Sequence, residues 1–305
     1  MIDSTQRVHA SDLARAENPP ADYSNLRTIA LSLLIVLALA LIWEGSKAFA
    51  RSQNYAVEIG ALTVDLSLFN DSKLPPLGSI ARAFAEPAQR GGAPLYQTLI
   101  ESGAFTLWSA VRGFFIGGLF GFMLAILFAH SALLQRGVLP YVVASQTVPI
   151  LAIAPMVVIW MGRAGNVELA VPIIAAYLTF FPVTIYTLRG LTSVPTTALE
   201  LMQSYAASRW QILVKLRLPN AVPQIFTALK IAAPASVVGA IIGELPSGIQ
   251  NGLGIAILNF ARYYNQSPPR LWATIAAAGL IGILFFSTVA LVERMVVRWK
   301  VETSD

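Results

Sequence analysis

Glu244, Lys230 and Arg112 stand inside or at the edge of long apolar stretches of the chain. Ionisable groups in hydrocarbon line aqueous paths or form pairs, so these are the residues through which an ion or charged solute would be handled. Lys230 lies 11 residues beyond Pro219, about 16 Å along an ideal helix, deep enough to need a partner or water. Gln146 and Thr147, just before Pro149, set an amide and a hydroxyl in another apolar stretch. They can face a polar path, or satisfy carbonyls that the proline frees. Glu244 can hold an outer gate through backbone or a basic group, or sit as a boundary carboxylate among headgroups. Catalytic chemistry is another matter. The chain carries no Gly-rich nucleotide loop ending in Lys and Ser or Thr, no dinucleotide fingerprint and no His-Glu metalloprotease pattern. With no cysteine and only His9 and His130 as histidines, it offers no thiol nucleophile and no expected metal site.

These residues need a membrane to position them. Of 305 residues, 21 are basic and 16 acidic, against 56% hydrophobic. A soluble domain carries about twice that charged share, so the composition indicates a membrane protein. The net charge of +5 does not imply nucleic acid, because the basic residues flank apolar segments. Six spans are predicted, in residues 28–43, 113–135, 137–162, 169–188, 221–245 and 271–292. The organisation expected is a cytoplasmic N-terminal tail (1–27), a first transmembrane helix (28–49) and a periplasmic segment with short amphipathic helices (50–103). A core membrane domain (104–292) and a cytoplasmic C-terminal tail (293–305) complete it.

Basic residues suggest the orientation. With both termini inside, Arg136, Arg189, Arg209, Lys215, Arg217, Arg294, Arg298 and Lys300 fall in the cytoplasm, against Arg163, Arg262 and Arg270 outside. Residues 50–103 add further outside positives, which long translocated segments tolerate. Arg112 is read as starting the second span and snorkelling to the surface. Pro149, Pro155, Pro172, Pro182, Pro223 and Pro234 fall in or near spans and can fix bends, while Gly117, Gly118 and Gly121 suit close helix contact.

The polar loop 189–221 carries the main functional signal. Within residues 200–214, Leu201, Tyr205, Ser208 and Ile212 can group on one side of a helix, with Arg209 and Lys215 at the other. Such a helix can sit in a groove of a soluble partner and act as a lever, or rest on lipid headgroups.

Ordered matches then resemble a known family. VPILAIAPMVVIWMGRAG carries Pro149, Ala152, Pro155, Trp160, Gly162 and Gly165, and FFPVTIYTLRG carries Phe181, Pro182, Thr187 and Gly190. ELMQSYAASRWQILVKLRLP comes next, ending in Leu218 and Pro219. Together these resemble the transmembrane permease subunits of binding-protein-dependent ABC importers, in the taurine, aliphatic sulfonate and nitrate branch. The family's cytoplasmic signature is Glu-Ala-Ala, a later Gly, then Leu-Pro. Here Glu200 matches, Leu201 and Met202 replace the alanines, and Ala206 stands at the usual Gly.

The resemblance implies an all-α membrane protein of six transmembrane helices. Five form the type I ABC importer core seen in molybdate and methionine permeases, and one is added at the N-terminus. It implies a permease subunit in the bacterial inner membrane, not an enzyme. Its expected partners are a second copy, two cytoplasmic ATPases, a periplasmic or lipid-anchored binding protein, and membrane lipid, with no nucleic acid. No cofactor is expected on this chain, ATP and Mg belonging to the ATPase. Glu200, Gln203, Tyr205, Ala206, Arg209, Trp210, Leu218 and Pro219 become the expected coupling surface, and Gln146, Thr147, Pro149, Lys230 and Glu244 the path or gate residues. A sulfonate, nitrate or similar anion is the cargo that the branch implies, although related importers also take neutral heterocycles. The alternatives are a self-contained ion-coupled carrier and a membrane anchor for a soluble complex.

Overall fold

The computed structural model describes residues 24–59, 62–89 and 91–297. Most of the expected N-terminal tail, and of the C-terminal tail the part containing Arg298 and Lys300, lie outside the described residues. The chain forms two compact units, residues 1–77 and 78–305.

In the first unit, helix α1 (Ser24–Ser52) exposes the consecutive Leu33, Leu34, Ile35 and Val36, which point to all sides, as in a helix facing lipid. Its C-terminal turns organise the segment after it. Lys47, only 4% exposed, gives its ammonium to Asp71 Oδ1 (2.6 Å) and to the carbonyl oxygens of Phe69 (3.4 Å) and Leu74. Three acceptors match three ammonium protons. Trp43 Nε1 donates to the Pro75 carbonyl (3.2 Å), and the Leu77 N–H donates to Glu44 (2.6 Å). Between these ties runs a hairpin of β1 (Ala56–Ile59) and β2 (Leu62–Asp65), antiparallel with Ala56 opposite Asp65. Sequence reading anticipated only short helices there.

The second unit is helical among its described residues. Its elements are α2 (Leu77–Ala83), α3 (Leu95–His130), α4 (Ala132–Ser145), α5 (Ile150–Arg163) and α6 (Ala170–Thr192). Then come α7 (Thr196–Ser204), α8 (Arg209–Ile212), a π-helical turn (Leu213–Arg217), α9 (Leu218–Ser247), α10 (Leu253–Arg262) and α11 (Pro268–Val296). Among the described residues of both units, five helical stretches are long and apolar enough to cross a membrane, and α4 with α5, a pair bent by 98°, brings the number to six if the pair is one span. The expected third span is therefore broken, at Gln146–Pro149. Packing shows that the pair runs the length of α6. Val142 of α4 packs with Leu188 and Leu191 at one end of α6, and Ala154 and Val157 of α5 pack with Ala170 and Ile174 at the other. The second span also departs from expectation. It starts at Leu95, so Arg112 lies mid-helix, with its guanidinium 5.7 Å from the Trp108 ring centre.

Helices α3, α6 and α9 form the core. Gly113, Gly117 and Gly121, spaced by four, lay one face of α3 against the α6 backbone. A Cβ on Gly117 would overlap the Ala176 carbonyl oxygen and lie 2.8 Å from Thr179 Cβ. Gly118, expected to share this role, faces open space. On α9, Gly239 meets Ala175 and Gly243 meets Val171 in the same manner. Close approach through small residues is how helices associate where lipid leaves no hydrophobic drive.

Gly117→Leu should therefore separate α3 from α6, lowering stability by about 1–3 kcal/mol, whereas Gly118→Leu should be tolerated. Thermal unfolding of the two detergent-solubilised variants checks the contrast. A second expectation concerns Asp71, which the Lys47 ammonium, with help from Arg51, holds below the usual carboxylate range. A carboxyl whose pKa is depressed on folding stabilises above its unfolded value and loses that contribution as pH falls through the folded one. The protection factors of amides in residues 66–74, taken relative to the intrinsic rate at each pH, should fall below about pH 4, and Asp71→Asn should show the lower protection already at neutral pH.

Candidate functional site

Three places in the membrane unit hold the residues singled out by sequence. The first is the loop 189–221. The expected single helix over 200–214 is two pieces, because the chain turns sharply at 205–208. Ala206 adopts a left-handed backbone (φ 51°), the conformation that glycine tolerates best. Ser208 then starts α8 with a capping box, accepting from the Gln211 N–H (3.3 Å) while its own N–H donates to Gln211 Oε1 (2.7 Å).

The turn presents Tyr205 at 78% and Trp210 at 69% exposure, with Leu201 beside them and Glu200, Gln203 and Arg209 exposed around. Leu218 is half-buried and Pro219 exposed at the start of α9. The base is fixed by residues that the sequence did not single out for this. Leu213 is buried with Phe128, Leu191 and Ala221. Arg217 donates to the Ala129 carbonyl at the end of α3 (2.9 Å), and Asn220 donates to the Gly190 carbonyl (3.3 Å) and Ser193 Oγ (3.1 Å) at the end of α6. A large exposed aromatic pair on a firmly held base is the form of a docking surface.

The second place lies at the far end of α9, 26 residues and about 39 Å of helix from Leu218. Glu244 is fully buried. Its Oε1 lies 2.7 Å from Thr106 Oγ1 of α3, and its Oε2 accepts from the Gly254 N–H of α10 (2.7 Å). Thr106 Oγ1 in turn accepts from the Leu253 N–H (2.9 Å). One carboxylate and one hydroxyl thus tie the N-terminus of α10 to α3 and α9, where amide donors suit negative charge. Gly252, at φ 119°, passes so close that a Cβ would overlap the carboxylate. Of the two readings of Glu244, the backbone-bonded one is what the structure contains. Thr106 could have been found only through the fold, since 138 residues separate it from Glu244.

The third place is a cavity of about 500 Å³ lined by Gln146, Leu178, Phe181, Pro182, Ile185, Tyr186, Arg189, Ile231 and Ala235. Gln146 sits at the break between α4 and α5, and its Nε2 is buried without a hydrogen-bond partner. Thr147 donates to the Ala144 carbonyl (2.7 Å), while the Ser145 carbonyl, the one to which Pro149 can give no N–H, accepts from Tyr177. Pro149 opens α5 and is exposed. Lys230 does not line this cavity. It pairs with Glu293 Oε2 of α11 at 2.6 Å, a partner that sequence reading left unnamed. His130 Nδ1 lies 3.0 Å from the Ile126 carbonyl oxygen at the end of α3.

A long core, a loop with an exposed aromatic knob and an opposite end tied by one carboxylate suit a membrane subunit that engages a partner on one face. The profile of the family described as "Binding-protein-dependent transport system inner membrane component" matches residues 117–298. The chain belongs to that family. It is a permease subunit of an ABC-type importer with the type I fold, a multi-pass membrane protein that works with ATPase and substrate-binding partners; ATP is hydrolysed in the separate ATPase.

The permease is 34% identical to the "Formylaminopyrimidine transport permease protein ThiX" of Halalkalibacterium halodurans, over 59% of this chain and 70% of that one. It is 31% identical to the "Riboflavin transport system permease protein RibX" of Chloroflexus aurantiacus, over 56% and 62%. The "Putative aliphatic sulfonates transport permease protein SsuC" of Bacillus subtilis is 29% identical, over 64% and 68%.

The turn at Ala206 yields a sharp expectation. A β-branched side chain in left-handed backbone is more strained than alanine, so Ala206→Val should cost about 1–3 kcal/mol, and Ala206→Gly should relieve the strain. ATPase activity retained by the reconstituted complex, compared across the two variants, checks this.

Proposed function

We propose that two copies of this permease face each other across a central path, each offering its 189–221 loop to one of two ATPases. Both termini and that loop lie in the cytoplasm, and a binding protein delivers cargo on the opposite, periplasmic face. The observation that carries the reading is the exposed Tyr205–Trp210 pair on a base tied to α3, α6 and α9. Glu200, Gln203, Tyr205, Ala206, Arg209 and Trp210 form the coupling contact, and Leu218 and Pro219 carry its movement into α9. Closure of the ATPase pair around ATP shifts both loops. The two halves then turn from inward to outward access, and hydrolysis resets them.

Support for six crossings, and hence for termini on one side, comes from the α4–α5 pair, which packs along α6 from Leu188 to Ala170. In this reading Glu244 holds the outer end closed, while Gln146, Thr147 and Pro149 shape the path at the break. Lys230, neutralised by Glu293, acts in the path's support and not as a bare cation. Family membership displaces the self-contained ion-coupled carrier. For cargo, the sulfonate relative supports the small anion expected from resemblance, and the two more similar relatives support a heterocycle.

Replacing Tyr205 and Arg209 together by alanine should reduce co-purification of the ATPase about tenfold or more, as loss of a central aromatic anchor does, while leaving membrane insertion unchanged. A cysteine placed at Gln203 should be labelled from the cytoplasmic side of membrane vesicles. Undiminished ATPase recovery from the double variant would remove the proposed contact, and labelling from the outer face alone would reverse the topology.

A further inference from the structure

The break between α4 and α5 has one polar group more than its own backbone needs. The N–H groups of Gln146, Thr147 and Val148 donate to the carbonyls of Val143, Ala144 and Ser145, at 3.1, 3.0 and 3.3 Å. The Tyr177 hydroxyl donates to the Ser145 carbonyl as well, and the Thr147 hydroxyl is engaged by Ala144. The Gln146 amide is left over, buried at Nε2 without a partner among the described residues, with Gln146 on the wall of the 500 Å³ cavity. An unpaired amide in a low-dielectric setting is unfavourable and is retained where something else comes to meet it.

What comes is constrained by shape and charge. The α6 side of the cavity is the single face formed by Leu178, Pro182 and Ile185, with Phe181 and Tyr186 adding rings, and Ile231 closes it from α9. The volume lies within the range for one small solute, and the wall is mostly apolar with a single amide at the break. Arg189 stands eleven residues from Leu178, about 16 Å along α6. Lys230 is taken by Glu293. An anion in the cavity would be drawn to Arg189 at that end of α6, whereas beside Gln146 it would meet an amide in place of a cation. A glutamine amide, by contrast, offers a donor and an acceptor side by side, the complement of a ring amide or amidine edge.

We propose that this cavity is a cargo-selecting subsite of the permease for a neutral, planar heterocycle with such an edge, in which Gln146 reads the edge and Phe181 and Tyr186 flank the ring. The proposal rests on the importer reading and adds a selectivity step inside the membrane. Two of the relatives carry a pyrimidine and a flavin in their names, which accords with that chemistry.

The test is equilibrium binding of riboflavin, cytosine, taurine and nitrate to the full-length permease purified with its ATPase and without binding protein. Saturable binding of a ring probe, weakened about tenfold by Gln146→Leu, is the expected result. Gln146→Glu, equal in size, repeats the measurement should the leucine variant not fold, with co-elution of the ATPase certifying assembly. Binding of taurine or nitrate alone, ring binding indifferent to both variants, or no binding of any probe by the wild type would each overturn the subsite. Co-elution and ATP hydrolysis stimulated by the binding protein report on the importer reading separately, so either can fail while the other stands.

Discussion

In hydrocarbon, apolar side chains gain little by leaving lipid for one another, so α3, α6 and α9 must be held by contact at short range. Their glycines supply it, bringing the face of Gly113, Gly117 and Gly121 onto the α6 backbone and Gly239 and Gly243 onto the same helix from the other side. Everything else in the membrane unit hangs from this trio. The loop base is tied to the ends of α3 and α6 by Arg217 and Asn220, and α9 carries the connection through to Glu244. Force applied at Tyr205 and Trp210 therefore meets a packed body instead of a loose bundle, which is what a driven gate requires.

Charge inside this body is handled in two ways. Lys230 and Glu293 neutralise each other between α9 and α11. Glu244 has no such counter-ion among the described residues; it is met by the Thr106 hydroxyl and the Gly254 amide at the start of a helix. An ion pair resists separation because each partner would be left exposed to hydrocarbon. A carboxylate held by a hydroxyl and an amide is easier to release, since water can replace both. In the proposed function these two solutions would serve a support that stays and a closure that opens.

How much of this is legible in the sequence depends on the kind of signal each feature leaves. The spans at 28–43, 169–188 and 271–292 are unbroken apolar runs, and hydropathy finds such runs directly. The loop and Glu244 stand out because polarity is conspicuous in that setting. A bend leaves no trace in hydropathy, so the break at 146–149 passes for a straight span although Pro149 marks it. The turn at 205–208 is signalled only by the family resemblance, which sets Ala206 at a usual Gly, because Ala-Ala-Ser itself does not advertise a left-handed residue. Glu293, Thr106 and the acceptors of Lys47 are partners by tertiary proximity across tens of residues, and no local pattern encodes them. Gly118 is easily mistaken for Gly113 because which glycine faces a neighbour depends on helical phase, which a single sequence leaves free.

The π-helical turn at Leu213–Arg217 has a consequence for variation in this segment. Each residue added to or removed from a helix rotates the part before it by about 100° relative to the part after it. The wider turn takes up one residue more than an α-helical turn would, and so fixes the direction in which the Tyr205–Trp210 knob points around the α9 axis. Identity between Arg209 and Leu218 can therefore drift within the limits of packing, but the number of residues there cannot. A single deletion would swing the knob a quarter of the way round, away from whatever it meets.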